Sequence, residues 1–124
     1  MRKHLAFDML TKILLFVGLI MLTYQKKESP EHIPIPGCVQ KMIEQIQKEK
    51  VWNPPASVFR YVYKGKTVYY VPIRCCDIPS KLFDENCNLM CFPSGGFTSR
   101  GDGKCTDFYT GRTAEELIWQ DNRK

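Results

Sequence analysis

The sequence predicts an α+β domain in which one amphipathic helix packs on a small antiparallel sheet and cysteines tie the loops. Three observations carry that reading. Residues 38–50, CVQKMIEQIQKEK, place Val39, Met42, Ile43 and Ile46 at i, i+3, i+4 and i+7, one face of a helix. Residues 57–63 and 66–72, SVFRYVY and KTVYYVP, are rich in Val, Tyr and Phe and are joined by Lys64-Gly65, a two-residue hairpin signal. The stretch from Cys75 to Cys105, CCDIPSKLFDENCNLMCFPSGGFTSRGDGKC, holds five of the six cysteines and four of the eight glycines. Cysteine and turn residues at that density read as loops held by covalent bonds rather than by a large core.

The chain begins with a positive cluster, Arg2, Lys3 and His4, followed by the apolar run Ile13–Leu22, ILLFVGLIML. Together they have the form of the n-region and h-region of a secretory signal. Asp8 and Lys12 interrupt the wider apolar stretch, and a bilayer span needs about 20 mostly apolar residues, so a spanning helix is marginal. Thr23, Tyr24 and Gln25 follow, without the small residues that a signal peptidase reads, which leaves residues 1–25 as either a signal peptide or an uncleaved signal anchor. Residues 26–36, KKESPEHIPIP, are polar and carry three prolines, the composition of a linker. Residues 37–124 then form a single cysteine-rich domain, small enough for covalent staples to matter. The expected location is outside the cytoplasm: periplasmic, extracellular or anchored to a membrane by the N-terminal segment alone.

Within the domain, Pro36 and Gly37 precede the helix, and Asn53, Pro54 and Pro55 stop it. Cys38 stands at the helix start, where a disulfide would pin the helix to the cysteine-rich region. In the hairpin 57–72, Phe59, Tyr61 and Tyr63 share one strand face, and Val58, Arg60 and Val62 share the other. The tyrosines read as amphipathic cover for the sheet rather than as a stacking platform for a ligand or nucleic acid. A second hairpin is expected over residues 82–92, turning at Glu85-Asn86-Cys87, and Pro93–Lys104 is a glycine-rich loop. Thr113-Ala114-Glu115-Glu116 fits a capping box and predicts a short C-terminal helix through Leu117, Ile118 and Trp119.

Several segments are familiar together: NPPASV (residues 53–58), VYYVPIRCCD (68–77), LFDENCNLMC (82–91), PSGGFT (93–98) and GDGKCTDF (101–108). Over residues 38–119 the chain resembles a family of small exported bacterial proteins, often lipoproteins, of unassigned function. This chain lacks a cysteine just after its apolar run, where a lipid would attach. The resemblance implies export and a cysteine-tied domain, and it implies no catalytic residue.

Cys38, Cys75, Cys76, Cys87, Cys91 and Cys105 are expected to form disulfides, and spacing alone does not choose among the pairings. Adjacent cysteines point in opposite directions in extended chain, which favours different partners for Cys75 and Cys76. The expected pairing joins one of them to Cys38, the other to Cys105, and Cys87 to Cys91. The spacings do not give the Cys-x-x-Cys of a thiol–disulfide enzyme, and only Cys87 and Cys91 have a zinc-knuckle spacing. Asp84-Glu85-Asn86-Cys87-Asn88 begins like a calcium loop, but Leu89 and Gly95 stand where that loop needs Gly and Glu, so a turn built on Asx side chains is the reading. Arg100, Gly101 and Asp102, with Asp107 nearby, mark a possible binding loop, since Arg-Gly-Asp on an exposed loop is a tripeptide that adhesion receptors read.

The two histidines are His4 and His32, so the domain from Gly37 onward contains none. Ser-His-Asp and Cys-His hydrolysis and His-ligated metal sites are therefore unavailable within it. The chain carries 18 basic and 13 acidic residues, interleaved rather than gathered into the stripe of a nucleic-acid binder. No catalytic residue, metal or cofactor is expected. The functional expectation is a disulfide-stabilised binding or structural module with an envelope partner. The alternatives are a secreted protease inhibitor that presents loop 93–104 and a thiol–disulfide redox protein.

Overall fold

The computed structural model describes residues 8–16, 34–75 and 77–124. The chain forms two compact units, Met1–Ile33 and Pro34–Lys124. In the first, residues 8–16 are helical (α1), and Lys12 pairs with Asp8 at 3.2 Å one turn away. Arg2, Lys3, His4, the remainder of the apolar run and residues 26–33 of the linker lie outside the described residues. Among the described residues no helix is long and apolar enough to cross a membrane.

The second unit runs α2 (Gly37–Lys48), β1 (Ser57–Tyr63), β2 (Lys66–Val71), β3 (Lys81–Phe83), β4 (Leu89–Cys91), α3 (Phe108–Gly111) and β5 (Thr113–Gln120). The strands make one sheet of order β4-β3-β2-β1-β5, antiparallel at every pairing, so the fold is α+β as the sequence predicts. Both predicted hairpins are present. Lys64 and Gly65 take φ of 51° and 75°, so both central residues of the first turn are left-handed, the backbone that matches the twist of paired strands.

Alternation along the strands divides the core in two. Val58, Tyr69 and Val71 face α2, where Val39, Ile43 and Ile46 bury the stripe read from the sequence, and Trp52, Ile118 and Trp119 close its margin. Tyr61, Tyr63, Val68, Tyr70 and Leu82 point to the opposite face, where Cys91, Cys105 and Phe108 cover them. The sheet is thus a middle layer with helix on one side and the cysteine-tied segment on the other. Phe108 is fully buried, with Tyr61, Tyr63, Tyr70 and Tyr109 ring centroids 5.1–5.6 Å away. Edge-to-face and tilted pairs of this kind add to the burial term. Arg112 extends over three of these rings, at 4.6 Å from Tyr61, 5.0 Å from Tyr109 and 5.4 Å from Phe108.

Two expectations are corrected. A short helix does lie near the C-terminus, but at Phe108–Gly111, and the capping-box segment Thr113–Gln120 is strand β5. Pairing with β1 outweighs local helix preference. Without β5 the long edge of β1 would be unpaired, and in the strand Glu115 accepts the Tyr61 hydroxyl at 2.6 Å, Glu116 pairs with Arg60, and Trp119 packs beneath α2. The disulfides differ too: Cys38 bonds to Cys87 and Cys91 to Cys105. The start of α2 lies over the β3–β4 turn that carries Cys87, while Cys91, at the end of β4, faces the loop that returns through Cys105. Cys75 is disulfide-bonded, and Cys76 lies outside the described residues. Disulfide bonding is the chemistry of an oxidising environment.

The C-terminal end of α2 is closed from a distance. Arg123 donates to the carbonyl oxygens of Gln47 at 2.7 Å, Glu49 at 3.1 Å and Ile46 at 3.5 Å, supplying donors that a helix end lacks. The buried carboxylate of Asp121 holds that guanidinium at 2.7 and 2.9 Å.

Candidate functional site

Chain reversals around the cysteine-tied region set out the most prominent surface feature. Cys91–Cys105 closes the glycine-rich loop at its base. Within it, Ser99 donates its amide to Gly96 O at 3.0 Å, Gly101 to Gly95 O at 3.0 Å and Asp102 to Phe92 O at 3.0 Å. Gly95, Gly96, Ser99 and Gly101 all have positive φ. At Gly101 the requirement is absolute: a Cβ there would stand 1.8 Å from the Phe92 carbonyl oxygen. The result is a compact, internally bonded loop whose tip presents Phe97 at 101% relative exposure. An aromatic ring wholly in water on a well-bonded support is unusual for a residue type that is normally buried.

Beside this loop a cavity of about 400 Å³ opens between residues 73–75, 77 and 78 on one side and 94–96 and 99 on the other, with Pro54 at its border. Ile73 and Ile78 give it apolar walls and are themselves 48% and 36% exposed. The backbone is forced close here, since a Cβ on Gly95 would meet Ile73 Cγ2 at 2.8 Å and Pro79 Cα at 2.9 Å. Arg74 and Asp77 supply charge. Arg74 donates to Glu49 at 2.8 Å and stacks 4.2 Å over the Trp52 ring, while the Trp52 indole N–H donates to the same carboxylate at 2.8 Å. These contacts, the Arg74 hydrogen bond foremost, hold the Glu49 carboxyl below the usual carboxylate range.

A hydrogen-bond chain ties the cavity to the core. Ser94 accepts and donates to buried Ser80 and meets the Tyr109 hydroxyl at 2.6 Å, and Tyr109 meets the Tyr70 hydroxyl at 2.8 Å. Burial first, and the bond to Tyr109 next, push the Tyr70 phenol up to about 12. The wall of the cavity is thereby fixed to the aromatic core by directional bonds and does not rely on apolar contact alone.

The residues singled out from sequence fall elsewhere. Arg100 is exposed and bridges to Gly95, Gly101 makes the close approach to Phe92, and Asp102 turns its carboxylate to the Lys104 amide at 3.1 Å. Asp107 leaves this loop altogether: it accepts the Tyr63 hydroxyl at 2.5 Å and pairs with Lys64 at 3.2 Å, joining α3 to the first hairpin. Asp84 accepts from the Asn86 amide, the Asn88 amide and the Asn88 side chain at 2.8–3.0 Å, the Asx turn read from the sequence. Among the described residues no three His, Cys, Asp or Glu side chains converge as a metal site. Sequence reasoning passed over Phe97, Ile73 and Ile78. The available signal was an aromatic flanked by Gly96 and Thr98, with no strand or helix pattern to bury it.

Residues 44–121 match the model of a family described as Domain of unknown function (DUF6970). The chain belongs to this family. The match begins inside α2 and ends one residue after β5, so the whole sheet, the Gly-rich loop and the cavity beside it lie within DUF6970. No curated protein and no solved structure matches the chain.

Proposed function

We propose that this DUF6970 protein is an exported binding module that presents loop 93–104 and the adjoining cavity to a partner at the cell envelope. The observation that carries the reading is Phe97, fully exposed at the tip of a loop closed by Cys91–Cys105, beside an apolar-walled cavity. Aromatic side chains are enriched in binding hot spots, and a loop already bonded internally has less backbone entropy to lose on binding. The disulfides and the signal-like start of the chain support export. The reading assigns no catalytic role, since the domain has no histidine from Gly37 onward.

A photo-crosslinking residue at position 97, with the same residue at exposed Lys41 on α2 as control, tests the proposal in envelope fractions. A discrete adduct formed from position 97 and absent from position 41 is expected. Equal adduct patterns at the two positions end the proposal. Intact mass of the same material reports whether residues 1–25 are retained.

Protease inhibition is the second reading, favoured by the disulfide-closed loop. Four left-handed residues make its 95–101 segment a closed turn, unlike the extended segment that pairs as a strand with a cleft. A protease panel assayed at micromolar protein decides it, and no inhibition removes it.

A further inference from the structure

Cys38, Cys87, Cys91 and Cys105 bond to one another in two pairs, and Cys75 is disulfide-bonded to none of these four. The surroundings differ sharply. Cys91 and Cys105 are buried in the aromatic core, and Cys38, in the first turn of α2, and Cys87 are half-buried against the core cluster beneath that helix. Cys75 is exposed and lines the 400 Å³ cavity, in a tight reversal closed by the Arg74–Ile78 bridge. Attack on a disulfide requires a thiolate to reach a sulfur, so access governs which bond exchanges, and a buried bond exchanges only after the structure around it opens.

We propose that the Cys75 disulfide is a thiol–disulfide exchange site, open through the cavity to small thiols, while the other two bonds are structural. An incoming thiolate attacks one sulfur of the Cys75 bond. A new S–S bond forms to the thiol as the old one breaks, and the released protein sulfur leaves as thiolate and takes a proton from water. A second thiol resolves the mixed disulfide. Overall, two thiols are oxidised to their disulfide and the protein bond is reduced to two thiols. The cavity lining then carries a reduced thiol at Cys75, so the surface offered to a ligand follows the thiol poise of the surroundings. The inference stands whether or not Phe97 engages a partner.

The test uses the native full chain with reduced glutathione and no denaturant, quenched over time with iodoacetamide and mapped by peptide mass. Cys75 is expected to be alkylated at least ~10-fold faster than Cys38, Cys87, Cys91 or Cys105, with far-UV circular dichroism unchanged. Simultaneous labelling of all these cysteines, or earlier labelling of Cys38 and Cys87, overturns the proposal. A Cys75→Ser chain should keep the Cys38–Cys87 and Cys91–Cys105 bonds and lose the glutathione-dependent fast phase, because the sulfur that Cys75 bonds is then a thiol that labels without glutathione. Persistence of that phase would also overturn the proposal, and if the variant does not fold, the wild-type time course still decides.

Discussion

Removing the Cys38–Cys87 bond by the double substitution Cys38→Ser/Cys87→Ser isolates what ties α2 to the far end of the sheet. The two cysteines are 49 residues apart. Restraining a loop of that length removes unfolded-state entropy equivalent to about 4 kcal/mol at 25 °C, against about 3 kcal/mol for a 15-residue loop. The 14-residue separation of Cys91 and Cys105 closes a loop of that shorter class. For a domain of roughly 100 residues or fewer, each kcal/mol moves the melting temperature about 4–8 °C, so a fall of roughly 15–30 °C is expected. Urea titration followed by Trp fluorescence reads the change, because Trp52 and Trp119 both border the α2 cluster. The slope against urea should rise, since the released chain exposes more surface on unfolding. A loss below about 1 kcal/mol with an unchanged slope would refute the reasoning, because unfolded-state constraint would then contribute almost nothing.

Other expectations follow from the same geometry. Phe108→Ala empties the centre of the aromatic cluster and should cost about 3–5 kcal/mol by urea unfolding, with loss of the near-ultraviolet tyrosine signal. Gly101→Ala introduces a Cβ 1.8 Å from the Phe92 oxygen and should destabilise by at least ~2 kcal/mol, whereas Gly103→Ala, with open space around it, should cost less. Tyr63 and then Lys64 hold the Asp107 carboxyl below its ordinary range, and Arg123 does the same for Asp121. A folded-state pKa below the unfolded value stabilises at neutral pH and is lost as pH falls through the folded value, so the urea midpoint should be flat down to about pH 5 and drop below about pH 4. Burial raises the phenols of Tyr61, Tyr63 and Tyr70, so their contribution is complete below about pH 10 and declines above it. Tyrosine absorbance titration should show these groups ionising together with unfolding.

What the sequence revealed depended on the range of the interaction that decided each element. The α2 stripe and the Lys64-Gly65 hairpin are decided by neighbours a few residues away, and both are as read. The sequence predicts a helix over residues 113–119, where the structure has a strand, because the partner, β1, lies more than 50 residues earlier and local capping chemistry is the only signal within reach. Cys38 and Cys87 are likewise joined by the docking of α2 over the β3–β4 turn, which spacing does not encode. The Gly-rich loop was visible as a loop. That Gly101 is a steric necessity follows only from where the backbone passes Phe92, and that Phe97 is left outside follows only from the path of the folded loop.

The Cys38–Cys87 bond also has a consequence for biogenesis. It is non-consecutive: Cys75 and Cys76 lie between its ends in the sequence. A chain oxidised as it emerges N-terminus first exposes Cys38 to Cys75 and Cys76 before Cys87 has appeared. Cys91 and Cys105, by contrast, emerge close together and are consecutive in the chain. Reaching the native pattern then requires α2 to dock before Cys38 is captured, or an isomerase to release it afterwards, and on the second route disulfide reshuffling, a matter of seconds to hours, sets the pace of maturation.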